Sequence, residues 1–275
     1  MTATALATRD LTPRIATEIR ADKDSLLDGV HADTIRELLE RRGVLVFPQV
    51  HLTDGEQVAF TETLGTPATE RRGEQVYNVT LDTAVNKRAD YLKGSLYWHI
   101  DGTMNEVPIL ASLLSCKVLP RNGGGDTEFC NTYAAYADFP DEDKQQLEPL
   151  RVTHSTWNTL LYHDPEPDVA TLRQMMAIGE RELPLVWTHR SGRRSLILGC
   201  TASHVNGMSL MASTELLVRL RAWATQADFV YRHSWSVGDL VMWDNTGTMH
   251  RARPYDPDSG RRLTRTKLVG EEPFA

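Results

Sequence analysis

Hydrophobic positions along the chain first recur at helical spacing. In "HADTIRELLERRG", Ile35, Leu38 and Leu39 share one face and Gly43 supplies a stop. The apolar run "VLVFP" follows at once, so a helix feeding a strand is expected. "LTDGEQVAFTETLG" repeats the pattern, with Thr53 as N-cap, Val58, Phe60 and Leu64 as inward positions and Gly65 at the end. Beyond Gly65 the apolar runs become short, β-branched and aromatic, bounded by Gly, Pro, Asp and Asn. "EQVYNVTL", "SLYWHI", "ILASLLSCKVL", "DTEFCNT", "LPLVWTH", "SLILG", "FVYRHSW", "DLVMWDN", "MHRARPY" and "RLTRTKLV" read as strands. Helices are expected at residues 140–148 and 213–226. Residues 155–182, weakly periodic and charged, read as a long excursion of the kind that forms a lid or an oligomer contact. Antiparallel strands without βαβ alternation predict a mainly β fold, a sandwich or jelly-roll barrel with flanking helices.

Composition narrows the function classes. The chain has 275 residues, 41% of them hydrophobic, enough for a substantial core. Its formal charge of −7 and pI near 5.7 lack the basic balance of a nucleic-acid binder. Cys116, Cys130 and Cys200 are odd in number and form no CxxC pair, which points to a reducing, cytoplasmic setting rather than a disulfide framework. "MTATALATRDLTPRI" lacks a basic region followed by an apolar core, and no apolar run approaches the roughly 18 residues of a membrane span. The expected partners are therefore a small-molecule substrate and further copies of the chain as a homo-oligomer, with no nucleic acid and no membrane.

Candidate chemistry starts at "YWHID". Side chains at i and i+2 of a strand emerge on one face, so His99 and Asp101 can converge on one point. A hydrogen-bonded core histidine beside a turn-capping aspartate would look the same. A second histidine, His250, opens the strand after the turn in "GDLVMWDNTGTMHRARPYD". Two histidines and one carboxylate on a rigid β scaffold suit non-haem Fe(II), which keeps three positions open; zinc competes, although catalytic zinc sites keep only one. Arg261 and Arg265 follow on one face of the last strand. An inward arginine behind a metal site is suited to anchor a dicarboxylate, and Arg262 should face away. The glycines of "GGGDT" lack the GK[ST] of a phosphate loop and instead form a turn delivering Thr127 inward. Trp98 and Trp243 read as core or pocket wall, and Asp244 as a turn residue. His154, His163, His189, His204 and His233 default to structural or surface roles.

Together "YWHID", "LPRNGGGDTEFCNTYAAY", "GDLVMWDNTGTMHRARPYD" and "RRLTRTKLVGEEPF" resemble the taurine dioxygenase (TauD/TfdA) family of Fe(II)/2-oxoglutarate-dependent dioxygenases, from about residue 30 to the end. The resemblance implies a single domain over residues 1–275 with a double-stranded β-helix (jelly roll, cupin-like) fold. It implies His99, Asp101 and His250 as iron ligands and Thr127 with Arg261 on the distal carboxylate of 2-oxoglutarate. It also implies turnover of O2 and 2-oxoglutarate to a hydroxylated substrate, succinate and CO2, with C–S or C–O cleavage where the carbon bears a heteroatom. Arg265 matches the arginine that faces the substrate's anion. Glu70 stands where the taurine enzyme has a sulfonate-gripping histidine, so it is expected either to oppose an anion at Arg265 or to point into solvent. Gly102, with Ile100, Thr103 and Met104 nearby, leaves room for a larger substrate. A non-catalytic cupin-like metal binder and a zinc hydrolase with Glu70 as base are the other readings.

Overall fold

The computed structural model describes residues 6–70, 73–87 and 89–275. Helix Ala32–Arg42 buries Ile35, Leu38 and Leu39, ends on Gly43 at φ 72°, and runs into strand Val44–Phe47, as its spacing predicts. Helix Asp54–Leu64 starts at a capping box in which the Thr53 hydroxyl and Glu56 carboxylate each accept from the other's backbone N–H. Its inward face differs from expectation. Gln57 is buried beside Phe60, Thr61 and Leu64, whereas Val58 is only partly covered. The Gln57 amide is satisfied there, donating to the Leu113 and Thr264 carbonyls and accepting from the Ser115 hydroxyl.

Seven strands form the larger sheet, in the order Ala7–Asp10, Thr17–Arg20, Val44–Phe47, Leu240–Asp244, Ala111–Val118, Arg262–Leu268 and Tyr77–Val79. Each pairing is antiparallel except that of Thr17–Arg20 with Val44–Phe47. A second sheet carries Val230–His233, Thr127–Asn131 and Thr248–Ala252 in that order. Strict alternation divides the larger sheet's side chains. Leu45, Phe47, Leu113, Leu240 and Met242 pack with the two helices, while Val44, Val46, Leu114, Val241, Trp243 and Leu263 pack with Phe129 of the second sheet. The two sheets thus share an apolar layer, and the same alternation turns Arg265 and Lys267, two and four residues past Leu263, onto the layer's side of the sheet.

Several expected elements change. "SLYWHI" is not a strand: residues Lys93–Leu96 form a 3₁₀ turn, and only His99 pairs, as an isolated bridge to His250. "EQVYNVTL" contributes just Tyr77–Val79. Residues 155–182 hold helices Thr156–His163 and Val169–Met176 before strand Glu180–Pro184. That strand, Arg151–Ser155 and Ala202–Val205 make a third sheet. The expected helices at 140–148 and 213–226 appear as Asp141–Leu147 and Leu210–Ala224. Among the described residues no helix is long and apolar enough to cross a membrane, and all three cysteines are free and buried.

Candidate active site

His99 and His250 are tied together by their backbones before their side chains do anything. The His99 N–H donates to the His250 carbonyl at 3.0 Å and the His250 N–H to the His99 carbonyl at 2.9 Å, which sets the ring centroids 4.1 Å apart. The Tyr97 carbonyl lies 2.9 Å from His99 Nδ1 and can only accept, so Nδ1 carries a proton and Nε2 is the ring atom turned toward Asp101. Burial, reinforced by the neighbouring His99, pushes His250 well below its ordinary value and favours its neutral ring. Burial alone would raise the Asp101 carboxyl, but Arg265, His250, His99 and Lys267 together hold it well below the usual carboxylate range.

Asp101 Oδ1 lies 3.8 Å from His99 Nε2 and Oδ2 lies 3.9 Å from His250 Nε2. Those separations are too long for hydrogen bonds. Ligand atoms of the three residues all lie within 4.8 Å of one another, surrounding a point rather than bonding across it. Two imidazoles and one carboxylate are a donor set that fits a divalent transition metal such as Fe(II). Ser112 Oγ donates to Asp101 Oδ2 at 3.0 Å and fixes the carboxylate from behind. The Trp243 ring lies 4.6 Å from the His250 ring at a tilt of 52°, inside the core, and Trp98 lies beneath Arg251.

Arg261 reaches the turn that leads into strand Thr127–Asn131. Gly123, Gly124 and Gly125 all take positive φ. A Cβ on Gly125 would fall 2.6 Å from Arg261 Nε, so glycine is required for the guanidinium to lie where it does. Arg261 Nη2 donates to the Gly125 carbonyl at 2.8 Å, and its guanidinium sits 4.4 Å from the Tyr255 ring centre. The residue is 3% exposed and, among the described residues, forms no ion pair with an Asp or Glu side chain. Such a buried cation fits an incoming carboxylate. Arg262 is exposed, as expected.

Glu70 is where the sequence expectations need correction. It does not point into solvent but stands on the cleft wall, paired with the Arg265 whose anion it was expected to oppose. Its Oε1 lies 3.0 Å from Arg265 Nη2 and 2.9 Å from Lys267 Nζ, and all three side chains are mostly buried. Burial would raise the Glu70 carboxyl, yet Arg265 and Lys267 bring it below its ordinary value. A carboxylate so held is a poor general base, which removes the group a zinc hydrolase would need. Arg265 also approaches Asp101 Oδ2 at 3.5 Å. Lys267, which sequence reasoning missed, carries the signal that found Asp101: it is i+2 from Arg265 on the same strand.

A cleft of about 850 Å³ opens over these groups. Its wall includes Glu70, Arg265, Lys267 and Gly102, with apolar Leu92, Ile109, Leu160 and Met175. Gly102 has φ 89°, and a Cβ there would meet the Ile109 backbone nitrogen at 2.7 Å, so angle and packing both call for glycine. Tyr77, paired with Arg265 across the sheet edge, also lines the cleft, as does His163, for which a structural or surface role was expected. The other histidines fit their structural roles. His154 contacts Thr201, His204 contacts Ser203 and His233 contacts Asp239. His189 lies 2.8 Å from both Ser195 Oγ and Glu272 Oε1, the spacing of a hydrolytic triad. Ser195 is fully buried and donates to the Thr246 carbonyl, so this array ties the C-terminal segment to the core. Asp244 accepts from the Thr246 backbone and hydroxyl, the expected turn role.

The geometry agrees with what known proteins show. The taurine catabolism dioxygenase TauD, TfdA family matches residues 7–267. The α-ketoglutarate-dependent 2,4-dichlorophenoxyacetate dioxygenase of Cupriavidus pinatubonensis is 36% identical over 91% of this chain and 92% of its own length. The α-ketoglutarate-dependent sulfate ester dioxygenase of Pseudomonas putida is 34% identical over 94% and 88%. The crystal structure of AAD-2 in complex with Mn(II) and N-oxalylglycine superimposes with a TM-score of 0.84 at 31% identity, covering 99% of this chain and 100% of the other. By its sequence, its fold and its cluster of two histidines and an aspartate, the chain belongs to the taurine catabolism dioxygenase TauD, TfdA family.

Proposed function

We infer that this Fe(II)- and 2-oxoglutarate-dependent dioxygenase hydroxylates a small organic monoanion of the aryloxy-acid kind. The observation that carries the reading is the ion cluster on the cleft wall. Arg265 and Lys267 share Glu70, and Arg265 also approaches Asp101, so one positive charge is left for a substrate's anion once a metal takes up the Asp101 carboxylate. A cleft of about 850 Å³ with apolar Leu92, Ile109 and Leu160 is far roomier than a two-carbon sulfonate requires, and the 2,4-dichlorophenoxyacetate relative matches nearly end to end.

In this reading His99, Asp101 and His250 hold the iron, and Thr127 with Arg261 hold the distal carboxylate of 2-oxoglutarate. Iron, 2-oxoglutarate and O2 supply the oxidant for C–H hydroxylation, with succinate and CO2 released and ether cleavage following at a carbon bearing oxygen. Arg265 and Lys267 draw the substrate's anion to the wall, and the apolar side chains exclude water from the reacting face. The two sheets sharing one apolar layer, with His99 bridged to His250, support a double-stranded β-helix acting as one domain. Helices Thr156–His163 and Val169–Met176 place Leu160, His163 and Met175 on the cleft and support a lid role for residues 155–182. Exposed Leu210, Met211 and Val218 on one helix support assembly as a homo-oligomer, and free buried cysteines suit a cytoplasmic setting.

Substrate-stimulated succinate release from 2,4-dichlorophenoxyacetate, 2-phenoxypropionates, alkyl sulfates and taurine tests this. The aryloxy acids should give the highest kcat/KM and taurine negligible turnover. Efficient taurine turnover, or preference for alkyl sulfates, would overturn the assignment.

A further inference from the structure

The Thr127 hydroxyl, read above as one of two holds on 2-oxoglutarate, is itself held. Trp235 Nε1 donates to Thr127 Oγ1 at 3.0 Å, two residues past the point where His233 pairs with Thr127 in the second sheet. An indole N–H only donates, so it takes up an oxygen lone pair and leaves the hydroxyl proton for another acceptor. Among the described residues that proton has none. A hydroxyl whose oxygen is engaged and whose proton is uncommitted is oriented to donate to an anion.

Everything around the indole keeps it there. Trp235 is 8% exposed and packs with Leu114, Cys116, Phe129 and Leu263. Its ring stands edge-on to His233, with centroids 4.6 Å apart and planes at 87°. The loop after Trp235 is fastened by Asp239, which accepts from the Ser236 N–H at 2.8 Å and the Gln49 N–H at 3.0 Å and lies 3.2 Å from His233 Nε2. The loop before it is fastened by Asp126, the residue preceding Thr127, which accepts from Ser234 Oγ at 3.1 Å and Arg232 Nε at 2.6 Å. Indole and hydroxyl are therefore anchored to the same short piece of sheet.

We propose that Trp235 is a positioning residue for the co-substrate, acting through the Thr127 hydroxyl without touching 2-oxoglutarate itself. The inference rests on the reading that Thr127 and Arg261 hold the distal carboxylate. Removing a neutral hydrogen bond that orients a donor weakens binding roughly two- to twelvefold, whereas removing the donor to the anion itself weakens it on the order of ten- to a hundredfold.

The test is a double-mutant cycle on Trp235→Phe and Thr127→Val, reading the 2-oxoglutarate dissociation constant from anaerobic titration of the Fe(II)-loaded enzyme. Melting temperature is followed in parallel. Trp235→Phe should weaken 2-oxoglutarate a few-fold, and should add no further weakening once Thr127 is Val. Additive effects, or an unchanged constant in Trp235→Phe, would make Trp235 a packing residue only and overturn the proposal. An unchanged constant in Thr127→Val would instead overturn the co-substrate reading and this inference with it. If Trp235→Phe does not fold, replacing the side chain with β-(3-benzothienyl)alanine keeps the bicyclic shape, lacks the N–H, and yields the same comparison.

Discussion

Replacing Gly125 with alanine should disable the co-substrate anchor without touching it chemically. The new Cβ would lie 2.6 Å from Arg261 Nε and 2.8 Å from its Cδ, so the side chain has to move by several tenths of an ångström and give up the Nη2 bond to the Gly125 carbonyl. Backbone strain adds to this, since φ is 74° and an L-residue there costs about 1–2 kcal/mol. With the lost hydrogen bond, at about 1 kcal/mol, the stability change comes to about 2–3 kcal/mol, a fall of about 4–6 °C in Tm for a chain of this size. Displacing the partner of a desolvated carboxylate costs about 2–5 kcal/mol, so 2-oxoglutarate should bind at least about thirtyfold more weakly. Gly123→Ala is the matched control. Its φ is 77°, but nothing lies within 4 Å of the added Cβ, so it should lose stability while binding 2-oxoglutarate normally. Thermal melts and anaerobic 2-oxoglutarate titrations of both variants decide the matter. Equal affinities in the two would refute the assignment of Arg261.

Glu70→Gln removes the carboxylate between Arg265 and Lys267, adding about 1–3 kcal/mol of attraction for an anion nearby at an effective dielectric of about 20. The KM for an aryloxy acid should fall roughly five- to a hundredfold, and a rise would show that Glu70 orients Arg265 rather than neutralising it. Asp244 is buried, and burial pushes its carboxyl up to about 6, so the folded state binds the extra proton between about pH 4 and 6 and loses stability as pH rises through that window. Asp244→Asn should therefore raise stability at pH 8 by about 3 kcal/mol at most, with the gain vanishing below about pH 4, as read by denaturant melts; no gain at pH 8 would count against the buried charge. Thr53→Ala breaks the capping box of helix Asp54–Leu64 and should cost about 1 kcal/mol by the same melts.

What the chain's pattern revealed depended on local physics. The helix at Ala32–Arg42, its glycine stop and the Thr53 cap are written within a few residues, and all appear. Strand Ala7–Asp10 is exposed along its whole length and shows no alternation to read. Strand Thr17–Arg20 gains its place by pairing with Val44–Phe47, which no local signal announces. Gln57 escaped notice because a polar residue is buried only where partners from distant strands satisfy it. In the site, alternation brought His99 near Asp101 and separated Arg261 from Arg262, even though the former pair sits beside an isolated bridge rather than in a long strand. The pairing of Glu70 with Arg265 joins residues 195 positions apart and could not be read from either segment alone.

The central claim is that His99, Asp101 and His250 hold iron beside a carboxylate anchor at Arg261. Its most direct test is the visible spectrum of the protein given Fe(II) and 2-oxoglutarate without oxygen. A weak charge-transfer band should appear in the wild type, vanish in His99→Ala, Asp101→Ala and His250→Ala while circular dichroism stays unchanged, and require far more 2-oxoglutarate in Arg261→Ala. A folded wild-type protein that binds Fe(II) and shows no band, or an Asp101→Ala variant that keeps it, would contradict the account.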